Sequence, residues 1–213
     1  MEVYQMDTAT FWTQVGAYNE TTWPVQAVMT VAAAYLTYRV FVKPGAKTDV
    51  WIKAFLALAF AWNTIVFFLV FVRNPISMFT GVPLFIIVSV LFVVDIFVKK
   101  MHFKLPEGRW MRGLTIAWIA LTVLYPLVGW PLGHTWPKVL LPLFPCPLTV
   151  FAIALVAAAV PKTDKKVFIA LLPWALMGLP KCFGALDCYE DCILFASGVY
   201  GLIVLIKNWR STK

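Results

Sequence analysis

The fold this sequence predicts is an all-α polytopic membrane bundle of about seven transmembrane helices. Three observations predict it. The chain of 213 residues is 62% hydrophobic and 13% charged, with a mean hydropathy of +0.82, whereas a soluble domain carries about 25% charged residues. Apolar stretches of bilayer-crossing length alternate with short basic turns. On a seven-helix count, all but three of the 18 Lys and Arg residues fall on one side, leaving Arg73, Lys138 and Lys181 on the other. Positive charge gathers on cytoplasmic loops, so the N-terminus is expected outside and the C-terminus in the cytoplasm. The same rule accounts for the net charge of +8. The lipid bilayer is therefore the expected partner, and nucleic acid is not.

Residues 1–213 read as one transmembrane domain, with 1–21 an interfacial segment, 22–208 the bundle and 209–213 a cytoplasmic tail. Phe11, Trp12, Val15 and Tyr18 recur at helical spacing behind Asp7, Thr8 and Thr10, which can cap a first turn. Aromatic residues in this pattern suit a short helix lying at headgroup depth, before Glu20.

The first membrane helix is expected over about 22–42, with Pro24 in its first turn. The second spans about 50–72, with Asn63 near its middle and an Asp49–Lys53 pair at i,i+4. The third spans about 82–98, with Asp95 paired to Lys99. A basic loop at 99–112 leads to the fourth, over about 113–129. The fifth segment, 140–160, contains Pro142, Pro145 and Pro147, so it reads as a helix broken by prolines. Its unbroken part, 148–160, covers only about 20 Å of a core about 30 Å thick. The sixth and seventh helices follow at about 167–179 and 192–206. A faint parallel repeat pairs Trp23-Pro24-Val25-Gln26 with Cys146-Pro147-Leu148-Thr149, and Lys47-Thr48-Asp49 with Lys162-Thr163-Asp164.

The stretch 130–151 stands apart, with five prolines between Trp130 and Phe151. Inside a membrane, broken backbone survives where protein buries it or where it lines a wet cavity. That makes the stretch a candidate site. His134 and Cys146 flank it and are candidate ligands of a soft or borderline metal, with Glu20 as a third. The plainer alternative is that His134 caps the broken chain and Cys146 is a small buried filler. Neither CxxC nor HxxxH occurs. Asn19, Glu20 and Gln26 cluster at the outer start of the first membrane helix, and Asn63 and Thr149 are further polar candidates for lining a path. Cys182, Cys188 and Cys192 are expected on the outer side, where two of them can form a disulfide. His102 and His134 fall on opposite sides, which leaves no room for bis-His haem. No cofactor is indicated. No nucleophile elbow or phosphate-cradling glycine loop is present.

Two motifs carry a resemblance. The first is Tyr18-Asn19, Trp23-Pro24 and Gln26. The second is Gly133-His134, Pro137, Pro145-Cys146-Pro147, Thr149 and Phe151. Together they make the chain similar to an uncharacterised family of small bacterial multi-pass membrane proteins, a domain of unknown function loosely labelled permease. Phe144 and Leu148 stand where that family's pattern has Gly and Thr. The resemblance implies a multi-helix fold in the bacterial cytoplasmic membrane and no established activity.

Three functions follow as expectations. The first is a small transporter or permease for a small solute or ion, with free backbone groups of the broken stretch coordinating it. The second is a non-catalytic subunit that anchors or organises a larger membrane complex, with other subunits or a homo-oligomer as partners. The third is a membrane enzyme using His134 and Glu20 on a lipid-borne substrate. Without a catalytic constellation it ranks last.

Overall fold

The computed structural model describes residues 7–75 and 77–212, without the side chain of Ser77. Glu2 of the expected outer acidic group, and Lys213 of the tail, lie outside the described residues. Among the described residues the secondary structure is all helical. Five helical stretches are long and apolar enough to cross a membrane: Thr8–Val42, Ala46–Phe71, Met78–Val98, Arg109–Leu132 and Tyr189–Lys207. Two shorter helices complete the seven.

Helix α1 is one continuous rod, Thr8–Val42. Asp7 caps it by accepting from the Thr10 amide at 2.9 Å and its hydroxyl at 2.6 Å. The expected boundary between an interfacial helix and a membrane helix near Thr22 is absent. Pro24 sits deep inside the rod, where it removes one N–H without ending the helix. At about 1.5 Å per residue, 35 residues reach about 52 Å, well beyond the bilayer core. The excess at the N-terminal end is where Phe11, Trp12, Val15 and Tyr18 bury themselves in protein. The same aromatic spacing serves a helix in the headgroup plane and a helix packed on loops, so periodicity alone misplaced this boundary.

Helix α2 (Ala46–Trp62) widens into π-helix over Asn63–Phe71. Asn63 Nδ2 donates to Ala59 O at 2.9 Å and to Leu143 O at 3.0 Å. The side chain enters the helix's own ladder where the pitch changes, a recognised setting for π geometry. Helix α3 (Val82–Val98) matches its predicted span. Phe60, Phe68, Phe85 and Phe92 interlock between α2 and α3, and Ser89 donates to Ala57 O at 2.8 Å. Helix α4 spans Arg109–Gly129 and tightens to a 3₁₀ turn at Trp130–Leu132.

Helix α5 is Pro145–Ala158, and all fourteen of its residues are buried. The prolines do not break it. Pro145 and Pro147 occupy its first turn, where an amide has no intrahelical acceptor. The chain is thus an irregular loop at 133–144 followed by a short helix. Helix α6 (Lys165–Leu176) is capped by Asp164, which accepts from the Lys166 amide at 2.9 Å. A single turn, α7 (Leu179–Cys182), leads to α8 (Cys192–Lys207). Gly198 brings α8 against α6, since a Cβ there would lie 2.9 Å from Ala175 Cβ. At 14 and 12 residues, α5 and α6 cover about 21 and 18 Å, less than a full bilayer core. Helix α5 packs on both α6 and α8, while α1 packs chiefly on α2. The two sets of three helices proposed as a repeat are therefore not packed alike.

The turns rich in Lys and Arg meet at one end of the bundle, where the expected i,i+4 pairs are replaced by long-range ones. Lys53 Nζ lies 2.7 Å from Asp95 Oδ2, each side chain 2% exposed. Asp49 takes His102 Nδ1 at 2.9 Å and the Phe103 amide at 2.8 Å. Lys100 reaches Asp164 at 3.1 Å. Asp95 also accepts the Lys100 and Met101 amides, so it ends α3 rather than pairing with Lys99. His102, in the basic loop, helps close this end through Asp49.

Candidate functional site

The opposite, acidic end is built from the first turns of α1, the 133–144 loop, the start of α5 and the 177–191 segment. His134 Nδ1 lies 2.9 Å from Glu190 Oε1, and the Trp12 indole stacks on the imidazole with centroids 3.8 Å apart. Trp12 Nε1 donates to Leu186 O at 2.9 Å. Gly129 makes room for this pair, because a Cβ there would lie 3.3 Å from His134 Cβ and 3.4 Å from Glu190 Oε1. One α1 side chain thus clamps the proline-rich loop to the segment before α8.

Beside it is a second polar knot. Asp191, fully buried, accepts from Lys181 Nζ at 2.6 Å and from the Tyr125 hydroxyl at 2.6 Å. Lys181 Nζ also lies 3.7 Å from Cys146 Sγ. Burial alone would depress the Lys181 ammonium. The adjacent Asp191 carboxylate, with Cys146 and Cys188 near, holds it well above the usual lysine range instead. Burial pushes the Cys188 thiol well up. Cys182 and Cys192 form the disulfide, which ties α7 to the start of α8, and Cys188 is left as a free thiol like Cys146.

Cys146 and Lys181 open onto a cavity of about 770 Å³ between the first turns of α1, the π-helical part of α2, the start of α5 and the end of α6. Phe11, Phe67, Phe68, Phe144 and Trp174 line it, with Asp7 and Asn74 among its polar residues. The Trp174 Nε1 donor has no hydrogen-bond partner. The space is therefore mostly apolar, with five aromatic side chains, a thiol and a compensated ammonium on its wall. It suits a small, largely apolar molecule that carries a hydrogen-bond acceptor.

Most residues singled out from the sequence lie elsewhere. Asn19 Nδ2 donates to Pro137 O at 2.7 Å and Val139 O at 2.8 Å, and Gln26 donates to Asn19 Oδ1 at 3.1 Å and Thr22 Oγ1 at 2.9 Å. Asn63 holds Leu143 O, and Thr149 donates to Pro145 O at 2.7 Å. Asn19 and Asn63 thus satisfy the loop's backbone, Gln26 braces Asn19, and Thr149 bonds within α5; none of the four lines the cavity. Of the seven binding candidates only Cys146 lines it. Glu20 is exposed, His134 pairs with Glu190 and Cys146 with Lys181. Among the described residues no three His, Cys, Asp or Glu side chains gather as a metal-binding group, so the proposed His134–Cys146–Glu20 ligand set is not assembled.

Lys181, Asp191, Tyr125 and Trp174 were missed. A signal existed for the first: Lys181 is one of three cations on a side rich in acids, and a lone cation among buried acids finds a carboxylate.

No curated protein and no solved structure matches the chain. The sequence model of one family, described as a family of unknown function (DUF6064), matches residues 8–213, and the two motifs of the proline-rich stretch and α1 fall within that match. The chain belongs to the DUF6064 family.

Proposed function

We propose that this is an integral membrane protein that binds a small, largely apolar solute in the aromatic cavity at its acidic end and acts as a permease for it. The cavity carries the reading: about 770 Å³ of mostly apolar lining, with Asp7, Asn74, Cys146 and Lys181 among its polar contacts. On the positive-inside rule the cavity opens to the outside and the paired basic end faces the cytoplasm, in a bacterial cytoplasmic membrane. Passage would then need the Lys53–Asp95, Asp49–His102 and Lys100–Asp164 contacts to part. Ion pairs can exchange their partners for water, whereas packed apolar contacts cannot.

A second reading, a non-transporting subunit of a larger complex, is favoured by one observation. The carbonyls of Pro137, Val139 and Leu143 are already taken by Asn19 and Asn63, so the proline-rich loop offers a solute little free backbone. The enzyme reading loses its basis, because Glu20 is exposed and His134 is engaged by Glu190 and Trp12.

The test starts from purified protein and a panel of small aromatic and aliphatic acids, amides and alcohols, scored by thermal shift. A compound that stabilises the wild type but neither Ala185→Trp, which fills the cavity, nor Trp174→Phe supports the site. Uptake of that compound into proteoliposomes supports the permease, and binding without uptake moves the assignment to the subunit. Equal stabilisation of all three proteins removes the site.

A further inference from the structure

A second groove, on the lipid-facing side of α1 and α2 at the basic end, is independent of the cavity above. It has a volume of about 450 Å³ and is lined by Ala32, Tyr35, Leu36, Arg39, Thr48 and Trp51. The Arg39 guanidinium lies over the Tyr35 ring, 6.0 Å from its centroid, and Nη1 donates to the Tyr35 hydroxyl at 3.1 Å. Its Nε is buried and has no hydrogen-bond partner. Thr48 Oγ1 donates to Lys43 O at 2.9 Å, which sets the Lys43 backbone at the groove's edge. Among the described residues no carboxylate lies within ion-pair distance of Arg39, Lys43 or Lys47. Two other cations at this end, the buried Lys53 and the half-buried Lys100, are each paired.

We infer that this groove binds the phosphate headgroup of an anionic phospholipid. Arg39 near the end of α1, Lys43 in the turn after it and Lys47 at the start of α2 leave this edge of the groove with a net positive charge that favours an anion. The Arg39 guanidinium, braced by Tyr35 and without a carboxylate partner, lines the groove as a planar cation suited to phosphate oxygens. The apolar part decides between a lipid and a free anion. Ala32 and Leu36 continue the groove along α1 toward Val28 and Val31, which are both 70% exposed. A headgroup in the groove places its acyl chain along that strip. Tyr35 and Trp51 sit where aromatic side chains meet the headgroup layer. Basic pockets between membrane helices on the cytoplasmic side recognise anionic lipids in this way.

The experiment is native mass spectrometry of the full chain, delipidated and titrated with phosphatidylglycerol or phosphatidylcholine. Phosphatidylglycerol is expected to be retained in preference. Arg39→Gln should reduce that retention by about fivefold, the weight of one surface cation. Ala32→Trp fills the groove without changing charge and should reduce it as well. Arg109→Gln removes an exposed cation at the same end and should leave it unchanged. Tryptophan-fluorescence melts check that each variant is folded, and Ala32→Trp carries the test if Arg39→Gln is not. Equal retention of the two lipids by the wild type, equal loss in Arg109→Gln, or displacement of the lipid by inorganic phosphate would each overturn the assignment.

Discussion

Lys181 and Asp191 lie 2.6 Å apart in a segment otherwise made of turns, and the same carboxylate holds the Tyr125 hydroxyl from α4. The pair therefore joins three parts of the chain at the cavity wall. Removing one partner leaves a buried charge. Asp191→Asn is expected to destabilise by about 2–4 kcal/mol, the lower part allowing for the one-fifth exposure of Lys181. Tyr125→Phe should cost about 1.5 kcal/mol. Detergent-solubilised melting curves check both. The sign with pH follows from the raised Lys181 value. The pair's contribution is complete below the ordinary lysine range and is lost only as pH rises through the higher folded-state value. Melting temperature should therefore not fall through loss of this pair anywhere near neutral pH.

At the other end, Lys53 and Asp95 are more fully enclosed. Lys53→Met and Asp95→Asn should each cost about 3–5 kcal/mol, because each strands its partner in a dry site. The double variant should recover a large part of that loss. A double-mutant cycle read by thermal or denaturant unfolding measures the coupling, and additive losses would show that the two charges do not depend on each other.

Asn19 holds two carbonyls of the proline-rich loop with one amide group. Asn19→Ala leaves the buried Val139 carbonyl unpaired and Pro137 O with only the Val139 amide, at about 2 kcal/mol. The loop should loosen first. Lys138, exposed between those two carbonyls, then becomes a faster trypsin site than in the wild type. Unchanged cleavage at Lys138 with a lowered melting temperature would place the damage elsewhere.

Cys188 is buried and its thiol is pushed above its ordinary range, so it is a poor nucleophile at neutral pH. Maleimide should leave the folded protein unmodified at Cys188. Denaturation without reductant should expose two thiols, Cys146 and Cys188, and reduction should raise the count to all 4 cysteines. Intact-mass measurement reads each stage.

The helices were legible where the signal was local. Helix α3 fills the apolar run between Gly81 and Lys99, which is visible in the sequence, although what ends it is Asp95 taking the Lys100 and Met101 amides. Partners were legible only where they lie nearby in the chain, as in the Asp7 cap. The i,i+4 pairs Asp49–Lys53 and Asp95–Lys99 failed because such a pair is worth only about 0.3–0.5 kcal/mol at a surface. A buried carboxylate needs more than that, and it found backbone amides and cations dozens of residues away. The proline-rich stretch contributes Leu140, Phe144, Pro145 and Cys146 to the cavity wall, and its hydrogen-bond partners come from distant parts of the chain. Spacing could not show that Asn19 and Asn63 consume its free carbonyls, or that the partner of His134 is Glu190, 56 residues on.

The enclosure of α5 has a consequence for how the protein is made. A helix of fourteen residues is too short to be held by the bilayer on its own hydrophobic length. It is also sheathed on every side, and part of the sheath is α8, which leaves the ribosome about 50 residues later. Until α8 arrives, the α5 flank that packs on it faces lipid or an insertion factor. The enclosure of α5 is therefore complete only once α8 has been made, and a chain that stops short of α8 exposes its own centre.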